Sequence, residues 1–158
     1  MSEGLRLRAA TQEDTDLLLA WRNDFQTRMA SQHTTEVRRE DHYEWLEGLL
    51  RDDSRILMVA EEAGIPVGTV RADLKNGMYE LSWTVAPGAR GRGIGKAMVA
   101  LFLGRLPGTV LAIVKKDNPA SARIAEFAGM QLVSEERGVL LYTRGDAPTR
   151  NQKLDNQL

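Results

Sequence analysis

The amino-acid sequence predicts an α/β domain of the α+β kind with a mostly antiparallel sheet, and three observations lead to this fold class. Short apolar segments of strand length are interleaved along the chain with longer segments of helical period. The turn signals Glu62-Ala63-Gly64 and Asn76-Gly77 join three consecutive strands as antiparallel hairpins. A length of 158 residues, of which 42% are apolar and 27% charged, suits one domain with its own core.

The first half of the chain predicts one strand, two helices and three further strands. Residues 5–8 alternate between leucine and arginine, as a half-buried strand does. Thr11 can cap a helix that ends at Asn23-Asp24, with Asp14 bonding back to the cap. Residues 25–36 show no period and are predicted as a loop, before a second helix at about 39–51. The three hairpin strands are predicted at 55–61, 65–74 and 78–85.

The second half of the chain predicts two more helices and three strands. One helix runs from about 93 to 106 and is closed by Pro107-Gly108. Asn118 caps the next helix, with Pro119 at its first position, and Gly129 ends it. The strands are predicted at 109–114, 130–134 and 138–143. We therefore expect about seven strands and about four helices. They form a single domain over residues 1–143, and a polar tail follows over residues 144–158.

Residues 82–96 contain the most informative feature of the chain, a glycine-rich basic turn between an apolar strand and a helix. Glycines allow backbone N–H groups to approach an anion closely, and the following helix directs its positive end to the same point. Arg90, Arg92 and Lys96 add formal positive charge around it. This arrangement predicts a phosphate-binding site.

The spacing of this turn excludes two common phosphate loops. If Gly95-Lys96 were the Gly-Lys pair of a P-loop, position 90 would be glycine and position 97 Ser or Thr, but the chain has Arg90 and Ala97. A dinucleotide fingerprint that starts at Gly93 needs a third glycine where Met98 stands. An RNA-binding RGRG tract is disfavoured because this single copy lies between two apolar elements.

The pattern that fits is Arg-x-x-Gly-x-Gly, as Arg90, Gly93 and Gly95, preceded by Val85-Ala86-Pro87. It resembles the pyrophosphate loop of the GNAT superfamily of acetyl-CoA-dependent N-acetyltransferases, and the element order over residues 5–143 is also that of the GNAT fold. The resemblance implies a sheet splayed after its fourth strand, with the backbone of Thr84 and Val85 holding the pantetheine arm of acetyl-CoA in the gap. It implies pyrophosphate contacts from one continuous run: Arg90, Gly91, Arg92, Gly93, Ile94, Gly95 and Lys96.

Asn118 and Ser121 are further cofactor-binding residues that the resemblance implies, although a helix cap and a first-turn residue explain them without a ligand. Many GNAT enzymes place a tyrosine seven residues after this asparagine as proton donor to the thiolate. This chain has Ala125 there. Tyr142, Tyr79 and water are the alternatives for that role, and the absence of a general acid is a further one. The departure leaves open a non-catalytic acyl-CoA-binding module as an alternative function.

Glu80 is the candidate general base. It precedes the glycine turn on the same strand and shares one face with Ser82 and Thr84, since side chains alternate along a strand. A carboxylate there can remove the proton of an attacking amine. An ion pair with Arg71 or Lys75 on the neighbouring strand is the equally weighted structural explanation.

The acceptor side is indicated by Trp21-Arg22-Asn23-Asp24 together with His42-x-x-Trp45. These residues resemble the GNAT branch of nucleotide amino-sugar N-acetyltransferases, and the ribosomal-protein N-terminal acetyltransferases resemble the chain nearly as well. A cap or a salt bridge also explains the polar residues after Trp21, and His42, among polar neighbours, is predicted to be solvated. The substrate candidates are Arg22, Asn23, Arg28 and His33.

Composition excludes several other function classes. The net charge of −1 gives no general field for nucleic acid or acidic membranes, and the absence of cysteine removes thiolate nucleophiles and thiolate-bound zinc. With two histidines, a metal site is not expected. We expect a cytoplasmic N-acetyltransferase, monomeric or homodimeric, that transfers acetyl from acetyl-CoA directly to a small-molecule amine such as an amino-sugar nucleotide. A protein N-terminus is the alternative acceptor.

Overall fold

The computed structural model describes residues 4–145, in which seven strands form one sheet covered by five α-helices. The strands are β1 (Leu5–Ala9), β2 (Arg55–Glu62), β3 (Ile65–Lys75), β4 (Met78–Val85), β5 (Val110–Lys115), β6 (Gln131–Glu136) and β7 (Val139–Arg144). The helices are α1 (Thr15–Asn23), α2 (Phe25–Ala30), α3 (Arg39–Arg51), α4 (Ile94–Leu103) and α5 (Pro119–Phe127). The sheet order is β1-β2-β3-β4-β5-β7-β6, and each neighbouring pair is antiparallel except β4 and β5. The predicted fold class is confirmed.

The strands β4 and β5 are parallel over a short stretch and then diverge. Beyond this stretch, β4 stays paired with β3 to its last residue and β5 stays paired with β7 to its last residue. The backbone groups of 82–85 and 113–115 that face the gap therefore have no strand partner across it. Because buried backbone N–H and C=O groups need a hydrogen-bond partner, these groups can bind a ligand or water in the gap. The predicted splay after the fourth strand is confirmed. The paired residues are Tyr79 with Val110, Glu80 with Leu111 and Leu81 with Ala112.

Different helices cover the two faces of the sheet, because successive side chains of a strand point to opposite faces. On one face α4 packs so closely that a Cβ added at Gly68 of β3 would lie 2.9 Å from Met98 Sδ. On the other face, α3 places Trp45 within cation–π distance of the guanidinium groups of Arg55 and Arg71. None of the helices within residues 4–145 is long and apolar enough to cross a lipid bilayer.

The start of α1 follows the predicted cap, with a tighter first turn. The N–H of Thr11 donates to Asp14 Oδ2 at 2.8 Å, and Gln12–Asp14 form a 3-10 turn before α1 begins. Arg8 of β1 binds both carboxylate oxygens of Asp14, at 2.8 and 2.9 Å. This guanidinium holds the pKa of Asp14 below its usual range, so the first helix is fastened to the first strand.

The prediction of a loop over residues 25–36 is wrong for its first part, where α2 forms. Asp24 begins this helix by accepting a hydrogen bond from the N–H of Thr27 at 3.1 Å. A helix of six residues is shorter than the window over which a periodic pattern can be detected. The count of five helices, instead of about four, results from this element.

Arg144 also differs from the prediction, which assigned it to the polar tail. It is the last residue of β7, and its guanidinium donates to the carbonyls of Leu103 and Leu106 at 2.6 Å and of Gly108 at 2.8 Å. These bonds satisfy carbonyl groups at the end of α4, which itself ends at Leu103 rather than at position 106. The rest of the predicted tail, 146–158, lies outside the described residues.

Replacing Gly68 by alanine should lower the free energy of unfolding by about 1–3 kcal/mol, because the added Cβ overpacks a closely fitted site. That Cβ would lie 2.7 Å from the carbonyl oxygen of Thr84 and 2.9 Å from Met98 Sδ. Urea denaturation measures the change. The matched control is Gly48→Ala on α3, where no atom lies within 4 Å of the added Cβ and the higher helix propensity of alanine should raise stability by about 0.5–1 kcal/mol. Equal stability of the Gly68→Ala protein and the wild type would contradict the close approach of β3, β4 and α4.

Candidate active site

The divergence of β4 and β5 opens a cleft of about 1510 Å³ that passes from one face of the sheet to the other. One wall consists of residues from 89–96 and 117–124, and we call it the loop side. The opposite wall includes three arginines beside an aromatic group, and we call it the arginine side. The residues that define the arginine side are Arg22, Arg55, Arg71, His42 and Trp45.

The loop side presents backbone N–H groups at the start of α4. Gly91 and Gly93 have φ angles of +78° and +77°, which favour glycine. The first hydrogen bond within the helix runs from the N–H of Ala97 to the carbonyl of Gly93, at 3.2 Å. The N–H groups of residues 94–96 therefore remain available to an anion at the positive end of the helix. Gly95 permits the helix to approach α5, since an added Cβ would lie 2.5 Å from Ile124 Cδ1.

The basic side chains of the loop bind other parts of the protein. Arg92 donates to Glu62 Oε1 at 3.0 Å and does not line the cleft as the structure describes it. The Nζ of Lys96 lies 5.6 Å from the ring centroid of Phe127 on α5. Arg90 binds Asp24, which keeps the pKa of that carboxylate below its usual range. The backbone N–H groups of the predicted phosphate loop are thus free for a ligand, Lys96 lines the cleft, and the contacts predicted for these three side chains stay predictions.

Helix α2 is fastened to both edges of the gap. At its start, Arg90 of the loop binds Asp24 and donates to Thr27 Oγ1 at 3.1 Å. Near its end, Lys115 at the end of β5 donates to the carbonyl of Met29 at 3.0 Å. Because these contacts come from the loop that follows β4 and from the last residue of β5, α2 bridges the two sides of the gap. The sequence contained one signal for this element, the Asp24 cap, but no signal for its partners.

The residues of β4 beyond the parallel pairs line the cleft. Thr84 and Val85, the predicted pantetheine contacts, are half-buried there, and Ser82 is exposed to it. The backbone of these residues bonds β3 on one side and faces the gap on the other. On the loop side, Asn118 Oδ1 accepts from the N–H of Ser121 at 3.2 Å, so both residues form the predicted cap of α5 while lining the cleft. Cofactor contact by these four residues stays a prediction.

Glu80 lies on the cleft wall at the point where the strands diverge. Its Oε2 accepts a hydrogen bond from Lys75 Nζ at 2.9 Å. The ion pair that the sequence offered as the structural explanation is therefore present. A role as general base stays a prediction. Because Glu80 is bound to Lys75, it would have to release this lysine before it could accept a proton from an amine.

The arginine side is organised around the indole of Trp45. The ring lies 6.0 Å from the guanidinium carbon of Arg55 and 5.7 Å from that of Arg71, and it stacks on His42 with a centroid distance of 5.3 Å. Asp73 of β3 is buried and pairs with both arginines, at 3.0 and 3.2 Å. The sequence indicates Arg71 only as a partner of Glu80, because a charged residue in a strand is typical of a solvent-facing position.

His42 and Arg22 are more buried than their sequence context suggests. The prediction that His42 is solvated is wrong, since it packs under Trp45 with 3% of its surface exposed. The pKa of His42 is lowered mainly by burial and, to a smaller extent, by the positive charge of Arg22. Arg22 donates to the carbonyl of His33 at 2.8 Å. Its pKa is lowered by burial first and then by the charges of Arg28 and Arg71.

Two of the predicted substrate residues lie outside the cleft wall. Asn23 exchanges two hydrogen bonds of 2.8 Å with the backbone of Val37. Arg28 donates to the carbonyls of Asn23 and Thr34, each at 3.2 Å. Both side chains therefore hold the segment that follows α2. His33, which is exposed, and Arg22 do line the cleft.

No tyrosine stands in the cleft wall as the structure describes it. Tyr142, one of the two predicted substitutes for the missing acid, is buried and donates to Glu126 Oε1 at 3.0 Å. The pKa of Tyr142 is raised mainly by burial and, to a smaller extent, by its hydrogen bond to Glu126. Ala125 is fully buried in the core. Within residues 4–145, no three metal-ligating side chains are grouped as a metal site would require.

Replacing Asp24 by asparagine should loosen α2 and leave its cap intact, since asparagine is an equally good N-cap residue. The partly exposed ion pair with Arg90 should contribute about 0.5–1 kcal/mol, so amide hydrogen exchange in 25–30 should become about twofold to fivefold faster. Asp41→Asn, which removes a carboxylate paired only with the exposed Arg38, is the control and should leave exchange in 25–30 unchanged. Unaltered exchange in the Asp24 variant would contradict the bridging role of this contact.

Comparison with known proteins places this geometry in a family. The chain matches the family model "Acetyltransferase (GNAT) domain" over residues 4–131, whereas a search of curated proteins gives no significant match. A ribosomal-protein-alanine N-acetyltransferase from Brucella melitensis has 28% identity, with 89% of this chain and 99% of that chain covered and a TM-score of 0.74.

Two further structures have the same fold at lower identity. Spermidine N-acetyltransferase from Vibrio cholerae, in complex with CoA and spermine, has 17% identity, 89% and 93% coverage and a TM-score of 0.77. An aminoglycoside acetyltransferase in complex with coenzyme A and kanamycin has 17% identity, 98% and 99% coverage and a TM-score of 0.77. Because the family model matches most of the chain, this protein belongs to the GNAT family of acetyltransferases, as the motif of Arg90, Gly93 and Gly95 predicted.

Proposed function

We propose that this protein transfers the acetyl group of acetyl-CoA directly to the primary amine of a small molecule, such as an amino-sugar nucleotide. The observation that carries the proposal is the cleft between the diverging ends of β4 and β5, with free N–H groups of the phosphate loop on one side. Two structures of the same fold, cited above, hold coenzyme A together with an amine, spermine in one and kanamycin in the other.

The cofactor would lie along the edge of β4 that faces the gap. There the backbone of Thr84 and Val85 can pair with the amides of pantetheine, as a strand would. The pyrophosphate would bind the N–H groups of residues 94–96 at the start of α4. Asn118 and Ser121, at the start of α5, belong to the same loop side of the cleft.

The reaction needs a neutral amine, a polarised thioester carbonyl and a route for one proton. The amine nitrogen forms a bond to the acetyl carbon, the carbon–sulfur bond breaks, and a backbone N–H of β4 can stabilise the intermediate oxyanion. Glu80 removes the proton of the amine, directly or through water. The leaving thiolate takes a proton from water, and the proton that Glu80 took from the amine returns to that water, since the usual tyrosine is replaced by Ala125. The chain has no cysteine to carry the acetyl group, which agrees with direct transfer.

A protein N-terminus is the second candidate acceptor. The observation that favours it is the 28% identity with the ribosomal-protein-alanine N-acetyltransferase, which exceeds the identity of the two small-amine enzymes cited above. A peptide would enter the same cleft with its terminal amine at the end of β4.

Incubation with acetyl-CoA and a panel of amines should release free thiol, measured with a chromogenic disulfide. The panel contains amino-sugar nucleotides, simple amino sugars, polyamines and short peptides with an N-terminal alanine. Faster release with one class than with buffer alone identifies the acceptor class. Stabilisation by CoA without thiol release from any amine would favour the non-catalytic binding module, and absence of CoA binding would overturn the assignment of the cofactor site.

Variants of the loop provide the control for that experiment. Gly93→Ala places a side chain at a positive φ, which costs about 1–2 kcal/mol, and should weaken CoA binding by about tenfold. Gly88→Ala, in the same loop with no positive φ and no atom within 4 Å of the added Cβ, should bind CoA as the wild type does.

Glu80→Gln should lower kcat by about 100-fold or more if this carboxylate is the general base, and the acid limb of the pH–rate profile should disappear. Lys75→Met is the matched variant, because it removes the same ion pair while keeping the carboxylate, and it should retain most of the activity. If both variants behave alike, or if the profile of Glu80→Gln is unchanged, Glu80 acts only as the partner of Lys75.

A further inference from the structure

The arginine side of the cleft carries more positive than negative charge. Arg22, Arg55 and Arg71 line it, and Asp73 is the carboxylate that pairs with the last two. Three carboxylates line the cleft itself: Glu80 binds Lys75, Asp41 binds Arg38, and Asp117 belongs to the loop side. Three guanidinium groups therefore share one carboxylate, which leaves two positive charges uncompensated.

Unsatisfied polar atoms collect at the same place. Four buried side-chain nitrogen or oxygen atoms in residues 4–145 lack a hydrogen-bond partner, and three of them belong to the arginine side: Arg22 Nη1, Arg71 Nε and His42 Nε2. The Nε of Arg71 lies 3.2 Å from Asp73 Oδ2 but makes no hydrogen bond to it. The two guanidinium nitrogens can only donate, and a buried donor without a partner is destabilising, so they indicate a missing acceptor.

The guanidinium groups are held in place before any ligand arrives. Arg71 is fixed between the ring of Trp45 and the carboxylate of Asp73. Arg22 is fixed by its hydrogen bond to the carbonyl of His33, which leaves the other nitrogen of its fork free. The repulsion between these cations is what an anion placed between them would relieve.

We propose that the amine acceptor carries an anionic group, a phosphate or a carboxylate, and that Arg22 and Arg71 bind it and thereby select the acceptor. This inference rests on the acetyl transfer proposed above and specifies its substrate class. A planar guanidinium fork binds the oxygens of either anion in a bidentate manner. The amine of such a molecule would point along β4 toward the gap, where the acetyl group arrives.

The same charges disfavour polycationic acceptors. A polyamine or an aminoglycoside needs carboxylates in the acceptor wall, whereas those of this wall are already paired. Like charges brought together at an interface weaken binding. This chain should therefore differ in acceptor from enzymes of its fold that acetylate spermidine or aminoglycosides.

The test compares amines that differ only in charge. We expect kcat/KM for glucosamine 6-phosphate over glucosamine, or for an α-amino acid over its amide, to be higher by at least about tenfold, with spermidine and kanamycin below the neutral amines. The first pair identifies a phosphate and the second a carboxylate. Arg22→Gln and Arg71→Gln should each lower kcat/KM for the preferred anionic amine by about 10-fold to 100-fold and change that for its neutral counterpart by less than about threefold. Arg22→Lys, which keeps the charge, should recover part of the loss.

A binding measurement decides the question if no amine of the panel is acetylated. With the phosphate loop saturated by CoA, inorganic phosphate and acetate are titrated while the melting temperature is recorded. At least one of them should stabilise the wild type and the control Arg51→Gln, an exposed arginine on α3 outside the cleft, but not Arg22→Gln or Arg71→Gln.

The outcomes separate the two levels of the proposal. Acetylation of neutral or polycationic amines as fast as anionic ones, or anion binding that survives both glutamine variants, overturns the anionic acceptor and leaves acetyl transfer standing. A protein that neither binds nor consumes acetyl-CoA overturns the proposed function. In that case the titration with the arginine variants still shows whether the arginine side binds an anion.

Discussion

The separation of two parallel strands after three residue pairs is the constraint on which the rest of this structure depends. A sheet gains hydrogen bonds from continued pairing, so strands that diverge leave backbone donors and acceptors without partners. Here the neighbours hold the two strands apart: β3 follows β4 to Val85, and β7 follows β5 to Lys115. The result is a gap whose edges have the hydrogen-bonding capacity of a strand, and a linear molecule with amide groups can satisfy it.

The packing around the gap keeps it open and holds the phosphate loop beside it. Gly68 lets β3 and β4 lie directly under α4, and Gly95 lets α4 lie against α5. Helix α2 connects the two edges through Arg90 and Lys115. Positive charge is distributed unequally between the two sides of the cleft. Each cation of the loop has a partner within the protein, whereas the arginine side has three guanidinium groups and one carboxylate to pair with them. The loop side can therefore bind an anion through backbone N–H groups, and the arginine side through guanidinium side chains.

Much of this architecture could be predicted from local patterns in the sequence. Two hairpin turns fixed three strands, the glycine spacing identified the loop, and Asn118-Pro119 marked the start of α5. The features that could not be predicted depend on partners distant in sequence. A six-residue helix has too few turns to show a period, and Arg90 gives no sign that it binds Asp24, which lies 66 positions earlier in the chain. Arg71 lies in a strand and His42 next to Asp41 in sequence, and only their packing around Trp45 shows that they belong to the cleft.

The pairing of β5 has a consequence for the order in which the protein can be assembled. β5 is held to β4 by three residue pairs and to β7 by six, and β7 contains the last residues of the described structure. Arg144, at its end, also completes the carbonyl end of α4. On the ribosome, the loop and both helices of its cleft wall emerge well before this strand. The width of the gap is therefore set only when β7 has been synthesised and has docked, and a nascent chain that stops before β7 has the motif without the site.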